Sequence, residues 1–523
     1  MARYLGWCLA LFVVPGLVGA ADAPKAVKDA KKAPLVVDSW EAAYLGGNRA
    51  GFVHTTVRAV ERDEKKFFQT TTDLSLTVKR FDSTIQLQMI TGSEEDEDGK
   101  VTGVSMRQML GKGQFLILKG TVDGKKLAVT VDEERAGDTN RRLEKTVPWN
   151  DAVVGLYRQR LLFKEKQVKP GDAFDYLSYE PTINSVIKTK VAVKDFEEVQ
   201  IRDKKLKLLR VEAVMDKITV GETTVQLPAM TVWLDGDFVA QRSLMDVPGL
   251  GKLTLYLGTR EQATTGGGSV ARIQDIGLSQ LVRLNMKIPR PYDVEKAVYR
   301  ITIKGDENAA SAFAQDDRQK VKNAKGESFE LQVRARRKPA DIPEESWPKV
   351  KEEFLQACYF LNSDDKLVRQ HATTAVGRET DPWKKALKIE RWVHANMQNK
   401  NFTEAFATAS QVARTLEGDC TEHAVLAAAM CRAAGVPSRT AFGLVYVDSA
   451  RGPTMGFHMW AEAWVNGQWM PIDATLGRGF VGATHLKISD HSWNKTESLT
   501  PLLPVVRVVG KVSIEVEKVG SGE

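Results

Sequence analysis

Three residues in the C-terminal third of the chain have the types and spacing of a nucleophile, a base and an orienter. Cys420 follows Glu417-Gly-Asp and opens an alanine-rich run closed by Gly435 and Pro437. Asp419 can cap a helix there, with Glu422 three residues on to complete a capping box. Gly435 and Pro437 are the matching stop signal. A cysteine in the first turn of a helix faces unpaired N–H groups and the positive end of the dipole, both of which favour a thiolate. The bland alternative is a small buried hydrophobe, because free cysteines are commonly buried.

The base and the orienter fall on one hairpin. Residues 457–465 (FHMWAEAWV) alternate, Asn466-Gly467 is a strong two-residue turn, and residues 468–475 (QWMPIDAT) return. Such a turn sets the register: 465 opposes 468, 464 opposes 469, and by continuation Asp473 opposes Trp460. Opposed residues share a face, so His458 and Asp473 point the same way as diagonal neighbours, about 7–8 Å apart at the backbone. Glu462 shares that face but sits four residues along, opposite Pro471, beyond easy contact with His458. A helix-start Cys, a strand His and a same-face Asp make a thiol triad, in which Cys420 attacks, His458 moves the proton and Asp473 holds the ring's tautomer.

These segments resemble the core motifs of the transglutaminase-like superfamily, a papain-related group with the order Cys, His, Asp. The resemblance lies in residues 418–424 (GDCTEHA), 457–464 (FHMWAEAW) and 469–475 (WMPIDAT), within roughly 345–490. Cys420, His458 and Asp473 match its triad position by position. The resemblance implies an α+β cysteine-protease-like fold and chemistry through a thioester acyl-enzyme, as in a bacterial-type exported member. Animal transglutaminases use calcium, but no ligand cluster in this chain matches that, so no metal or other cofactor is carried over.

The other reactive residues have competing roles. His423, three positions after Cys420, could reach the thiol but has no same-face acidic orienter. Metal ligation by Cys420, His423 and His458 competes weakly, since no Cys-x-x-Cys or His-x-x-x-His pattern occurs. Cys431 lies on the same helix as core, and Cys358 packs inside its own segment, with a Cys358–Cys431 disulfide as an alternative. His485 and His491 read as surface or structural residues. Trp460, Trp464 and Trp469 read as a packing stripe.

The elements that must hold this site occupy a minor part of the chain. An α+β segment at 341–490 has helical spacing at 344–361 and 381–397, then strands from Arg439. Residues 491–523 end in Val/Ile-rich strands, read as a pair near 505–516 that packs on the catalytic segment. Ahead of them, residues 36–262 form a large antiparallel β-rich region, with alternating β-branched runs separated by turn signals such as Asp98-Gly99 and Asp123-Gly124. A helix near 151–163 interrupts it, and two subdomains with a break near 150 are one reading of that interruption. Residues 263–340 read as a linker and a connecting β segment. The Gly-rich stretch at 264–269 lacks the Gly-Lys-[Ser/Thr] ending of a phosphate loop. The acidic run Glu94-Glu-Asp-Glu-Asp-Gly99 puts Ser105 where a calcium loop needs a bidentate Glu, so it reads as a solvated hairpin tip.

The first twenty residues are not fold. Arg3, the apolar run 5–14 and the small residues Val18-Gly-Ala20 form a secretory signal, and the apolar run is shorter than the ~20 residues of a membrane span. An Ala/Lys/Pro-rich tether follows at 21–35. The protein is therefore expected to be exported (periplasmic, cell-envelope or secreted), with no stable membrane span once the signal is cleaved.

Composition closes off other classes. The 523 residues are 43% hydrophobic and 27% charged, so disorder is excluded. Four cysteines cannot form a disulfide scaffold. A net charge of +7 spread along the chain is no nucleic-acid footprint. The expected activity is a thiol-dependent acyl transfer on amide bonds of a protein or peptide substrate, by hydrolysis or transamidation. The alternative is a cell-envelope binding or scaffold protein with an accessory transglutaminase-like domain, its β region binding an envelope or protein partner.

Overall fold

A computed structural model describes residues 33–80, 83–111, 114–135, 142–220, 223–265, 275–399, 406–449, 452–494 and 500–520. The residues read as an export signal, most of those read as a tether and most of the Gly-rich stretch fall outside the described residues. The chain forms two compact units, one reaching to Ile276 and the other made of Gly277–Glu523 together with Thr219–Val225.

The N-terminal unit is built on one antiparallel sheet of fourteen strands. Its first strand, Leu35–Leu45, is central. Seven strands meander away on one side as far as Arg142–Pro148, and Gly251–Gly258 pairs on the other side, followed outward by strands ending at Ala173–Glu180. Near residue 150, the place of the expected subdomain break, the chain leaves the edge strand Arg142–Pro148 and returns at the opposite edge of the same sheet, at Ala173–Glu180. The segment at 153–154 ties its parts together: Val154 pairs with Lys100, and Val153 with Leu177. Alternation explains the ladder, since Thr70, Thr72, Leu74, Leu76 and Val78 turn one buried face inward while their neighbours stay wetter.

Two helices pack on this sheet, the short Arg260–Thr264 and the longer Leu156–Glu165. The acidic run helps to hold the longer one, which corrects the reading of that run as wholly solvated. The turn residues at 97–99 are exposed or half-exposed. Glu95, however, is 1% exposed and accepts hydrogen bonds from the Tyr157 and Arg158 N–H groups, at 2.8 and 3.0 Å. A buried carboxylate thus caps a helix start that has no side-chain cap of its own at Gly155.

The C-terminal unit is α+β. Its main sheet has the order Val282–Arg283, Gly452–Val465, Ser438–Ser449, His485–His491, with Gln468–Ile472 also pairing to Gly452–Val465. Helix Cys420–Ala433 packs against Gly452–Val465 and is buried from Cys420 to Arg432, which suits its alanine-rich, nearly all-apolar composition. Helices Lys366–Val376, Pro382–Asn396 and Ala409–Thr415 surround it.

Two expected elements differ. Residues 344–361 form only the short turns Glu344–Ser346 and Glu352–Phe354, because Pro348 removes a donor and disfavours helix at the residue before it. Among the described residues of the C-terminal segment the expected strand pair near 505–516 is not formed. Leu503–Val506 is helical, and Val512–Gly520 pairs instead with Lys296–Ile303 in a second, four-stranded sheet. Residues 277–340, expected as linker and connector, thereby contribute strands to the C-terminal unit.

Candidate active site

Helix Cys420–Ala433 starts on a complete capping box. The Asp419 side chain accepts from the Thr421 N–H at 2.8 Å, and Glu422 Oε2 accepts from the Asp419 N–H at 2.9 Å. Gly418 has φ +140°, and a Cβ there would lie 2.4 Å from the Glu422 side chain, so this start requires glycine. The thiol of Cys420 sits in the first turn, 1% exposed. His423 Nδ1 lies 2.6 Å from the Asp419 carbonyl oxygen one turn back in its own helix.

The hairpin has the register that its Asn-Gly turn dictates. Val465 pairs with Gln468, Trp464 with Trp469, Glu462 with Pro471 and Ala461 with Ile472. Strand pairing ends there, and Asp473 opens the following turn. His458 Nε2 lies 2.8 Å from Asp473 Oδ2, both side chains being 1% exposed. The other Asp473 oxygen accepts from the Thr475 and Leu476 N–H groups, at 2.9 and 3.4 Å.

The turn is anchored from behind by helix Pro382–Asn396. His394 Nδ1 lies 3.0 Å from the Ala474 carbonyl oxygen, and Glu390 Oε1 accepts from the Gly479 N–H at 2.9 Å. Burial, reinforced by the nearby charge of Asp473, raises the Glu390 carboxyl to about 7.

His485, read from sequence as surface or structural, is buried at this site. Its Nε2 lies 3.0 Å from the same Asp473 Oδ2 that His458 contacts. The middle strand makes this possible: Gly443 pairs with His458, and Val445 pairs with His485, so both imidazoles project from one face. A Cβ at Gly443 would lie 2.0 Å from the Leu486 carbonyl oxygen and 2.9 Å from the Trp460 ring. Glycine is therefore required between the two rings. No local pattern announces His485, because its strand pairs with residues some forty positions earlier.

The electrostatics separate the two histidines. Burial alone would lower the His458 imidazole, but the Asp473 carboxylate and the Cys420 thiol outweigh it and raise the ring to about 10. Burial takes His485 down to about 4. Asp473 opposes that shift, while the cations His458 and Arg318 add to it. Burial would raise Asp473, yet its two imidazole partners hold it well below the usual carboxylate range. The surroundings thus push the two rings in opposite directions, His458 toward the imidazolium and His485 toward the neutral ring.

Asp473, His458 and His485 gather three ligand-type atoms within 4.8 Å. The N···O distances of 2.8 and 3.0 Å are those of N–H···O bonds, so these atoms are spent on one another. Among the described residues this is the one such cluster, and the set Cys420, His423 and His458 is not gathered in the same way.

The remaining residues are structural. Glu462 is 1% exposed and bound by Lys487 Nζ at 2.9 Å and Arg439 at 2.7 Å. Trp460 is fully buried, its ring centroid 6.2 Å from that of His458 and 5.5 Å from that of His485. Trp464 and Trp469 pack edge to face. Among the described residues no disulfide joins Cys358 and Cys431. The Cys358 sulfur meets the Arg432 guanidinium at 3.6 Å, and burial pushes the Cys431 thiol up to about 12. Among the described residues no helix is long and apolar enough to cross a membrane.

Comparison with known proteins finds a similarity within this unit. Residues 369–474, which include Cys420, His458 and Asp473, match the transglutaminase-like superfamily. The molecule is thus a large antiparallel β region followed by a transglutaminase-like domain. An uncharacterised protein of Haemophilus influenzae is 28% identical over 146 residues, 24% of this chain and 39% of that protein. The chain therefore spans about two fifths of this relative's length. Among solved structures, a protein provisionally assigned as a cysteine protease from Cytophaga hutchinsonii aligns with 17% identity and TM-score 0.28, over 44% of this chain and 84% of that one. A β-barrel-like protein of Brucella abortus aligns with 12% identity and TM-score 0.29, over 43% and 98%. The periplasmic domain of TgpA from Pseudomonas aeruginosa, bound to ethylmercury, aligns with 13% identity and TM-score 0.22, over 36% and 91%.

Proposed function

We propose that the protein is an exported thiol enzyme that transfers acyl groups from amide bonds of a protein or peptide, with Cys420 as nucleophile, His458 as acid–base and Asp473 as orienter. The observation that carries this reading is the convergence at the start of helix Cys420–Ala433. There a first-turn thiol acts on a buried imidazole whose other side is bound to a buried carboxylate. The raised pKa of His458 favours its imidazolium form beside the thiol.

In the reaction the Cys420 thiolate attacks the amide carbonyl. His458 gives its proton to the departing amine as the C–N bond breaks, leaving a thioester. The neutral ring then takes a proton from water or an acceptor amine as that group attacks the thioester, and the thiolate is released. The Cys420 N–H, unpaired by position in the helix, is available to the developing oxyanion. Export rests on the signal pattern at residues 1–20, and N-terminal sequencing should find the working protein starting near Ala21.

The test needs no known substrate. Iodoacetamide near neutral pH should modify Cys420 ahead of Cys358 and Cys431, and incubation with casein plus a fluorescent primary amine separates the two outcomes. Labelled casein means transamidation, and new peptides mean hydrolysis. Cys420→Ala should abolish either activity without unfolding the protein, because alanine is well tolerated in a first turn. A Cys420 no more reactive than Cys431, with casein untouched, would leave the scaffold reading standing instead.

A further inference from the structure

Asp473 serves two rings, and only one of them has a part in the reaction above. We propose that His485 is a positioning residue: as a neutral imidazole it donates to Asp473 Oδ2, locks that carboxylate, and loosens the carboxylate's hold on His458. This rests on the thiol-enzyme reading.

The geometry leaves little freedom. Asp473 Oδ1 is taken by the Thr475 and Leu476 N–H groups, and Oδ2 faces Nε2 of both His458 and His485. A neutral imidazole has one N–H, and spending it here fixes His485 as the Nε2–H tautomer. Its Nδ1 is buried and makes no hydrogen bond in the structure. Two imidazoliums on one oxygen would repel each other.

The surrounding charges decide which ring carries the proton. Arg318 donates to the Gly482 and His485 carbonyl oxygens, at 3.1 and 3.4 Å, placing a buried cation beside His485. The Cys420 thiol acts on His458 instead. Glu390 and Tyr292 face Asp473 from the other elements packed against the site. The charge therefore sits on His458 and the neutral donor at 485.

The consequence is chemical. A carboxylate that accepts two N–H bonds at one oxygen is a weaker base than one that accepts a single bond. With Asp473 bound to His458 alone, the imidazolium would hold its proton too firmly to give it to a departing amine. The second donor offsets that, and it also keeps Oδ2 aimed at the hairpin.

The experiment measures the rate of Cys420 alkylation by iodoacetamide against pH in the full-length protein, in His485→Gln and in His485→Phe. Glutamine can place an N–H near the position of Nε2, whereas phenylalanine fills the space without a donor. The curve has a second inflection where His458 deprotonates. It should move up by at least about half a pH unit in His485→Phe and stay near wild type in His485→Gln. Coincident inflections in folded wild type and His485→Phe would reduce His485 to packing. If neither variant folds, imidazole ¹⁵N spectra of the wild type decide: a neutral Nε2–H form of His485 at pH 7 is expected, and an imidazolium or an Nδ1–H form overturns the proposal. A wild-type curve with one ordinary thiol titration fails at the earlier step, sinking the thiol-enzyme reading and this one with it.

Discussion

The two units bury carboxylates to a similar degree and use them differently. In the N-terminal sheet Glu41 is 5% exposed and raised to about 7 by burial, with the Arg160 cation opposing the shift. Glu390 in the C-terminal unit is also raised to about 7 by burial, but a backbone N–H relieves it while the charge of Asp473 pushes it further. Glu95 serves one helix end. Asp473 serves two side chains, two backbone N–H groups and, through His458, a thiol. In the sheet a buried polar group settles a local deficit, and its loss stays local. Around Asp473 the groups share partners, so a single change reaches the whole proposed site.

The largest test of that difference pairs two substitutions on the same hairpin. Asp473→Asn should cut amide turnover by roughly 10²–10⁴, chiefly in kcat, since an uncharged amide cannot support His458 as imidazolium or accept equally from both rings. Glu462→Gln should leave the kcat of the folded protein nearly unchanged and instead cost about 3–5 kcal/mol of stability, because Lys487 and Arg439 lose a buried partner. Burial would raise Glu462, yet those two cations hold it at about 2. Its contribution is therefore present above the ordinary carboxyl range and lost as pH falls toward 2. The measurements are steady-state turnover on casein and urea unfolding of both variants. A Glu462→Gln protein that melts normally but turns over poorly would contradict the separation of roles along this strand.

What could be read in advance follows from the range of the interactions. The Asn466-Gly467 turn dictates pairing over the next few residues, so the shared face of His458 and the returning strand was legible, as was the capping box at Asp419. These are contacts within about fifteen residues. The alternation of the N-terminal strands was legible for the same reason. Contacts across the fold were not. His485 reaches Asp473 only because its strand pairs with Ser438–Ser449, and Glu390 only because its helix packs behind the turn at 473–479. Glu462 looked idle from the hairpin alone; its partner Lys487 comes from that same distant strand. Local apolar spacing also misled at 344–361, where Pro348 overrode it. Glu95 was taken for solvent because its acidic neighbours are charged, while the helix it caps lies some sixty residues later.

Glu95 supplies the smallest effect and the sharpest check on the sheet. Its Oε1 accepts from the Tyr157 N–H and the Ser93 hydroxyl, both at 2.8 Å, and Oε2 accepts from the Arg158 N–H at 3.0 Å. Gly155 leaves the room, since a Cβ there would fall 2.2 Å from the carboxyl carbon. Glu95→Ala deprives the helix start of its acceptors, which for a lost cap costs about 1–2 kcal/mol. Part of that loss is offset. Burial raises the Glu95 carboxyl in spite of these hydrogen bonds, so the ionised group is itself under strain in the native state. Its stabilising contribution is full below the ordinary carboxyl pKa and declines as pH rises through the raised value. The destabilisation caused by Glu95→Ala should therefore be larger near pH 4 than at pH 8. Unfolding curves of wild type and variant at the two pH values measure it, with Cys420 alkylation followed in parallel. A larger loss at pH 8 would reverse the assigned balance between burial and capping. An altered Cys420 rate would show that a polar group in the sheet is not local after all.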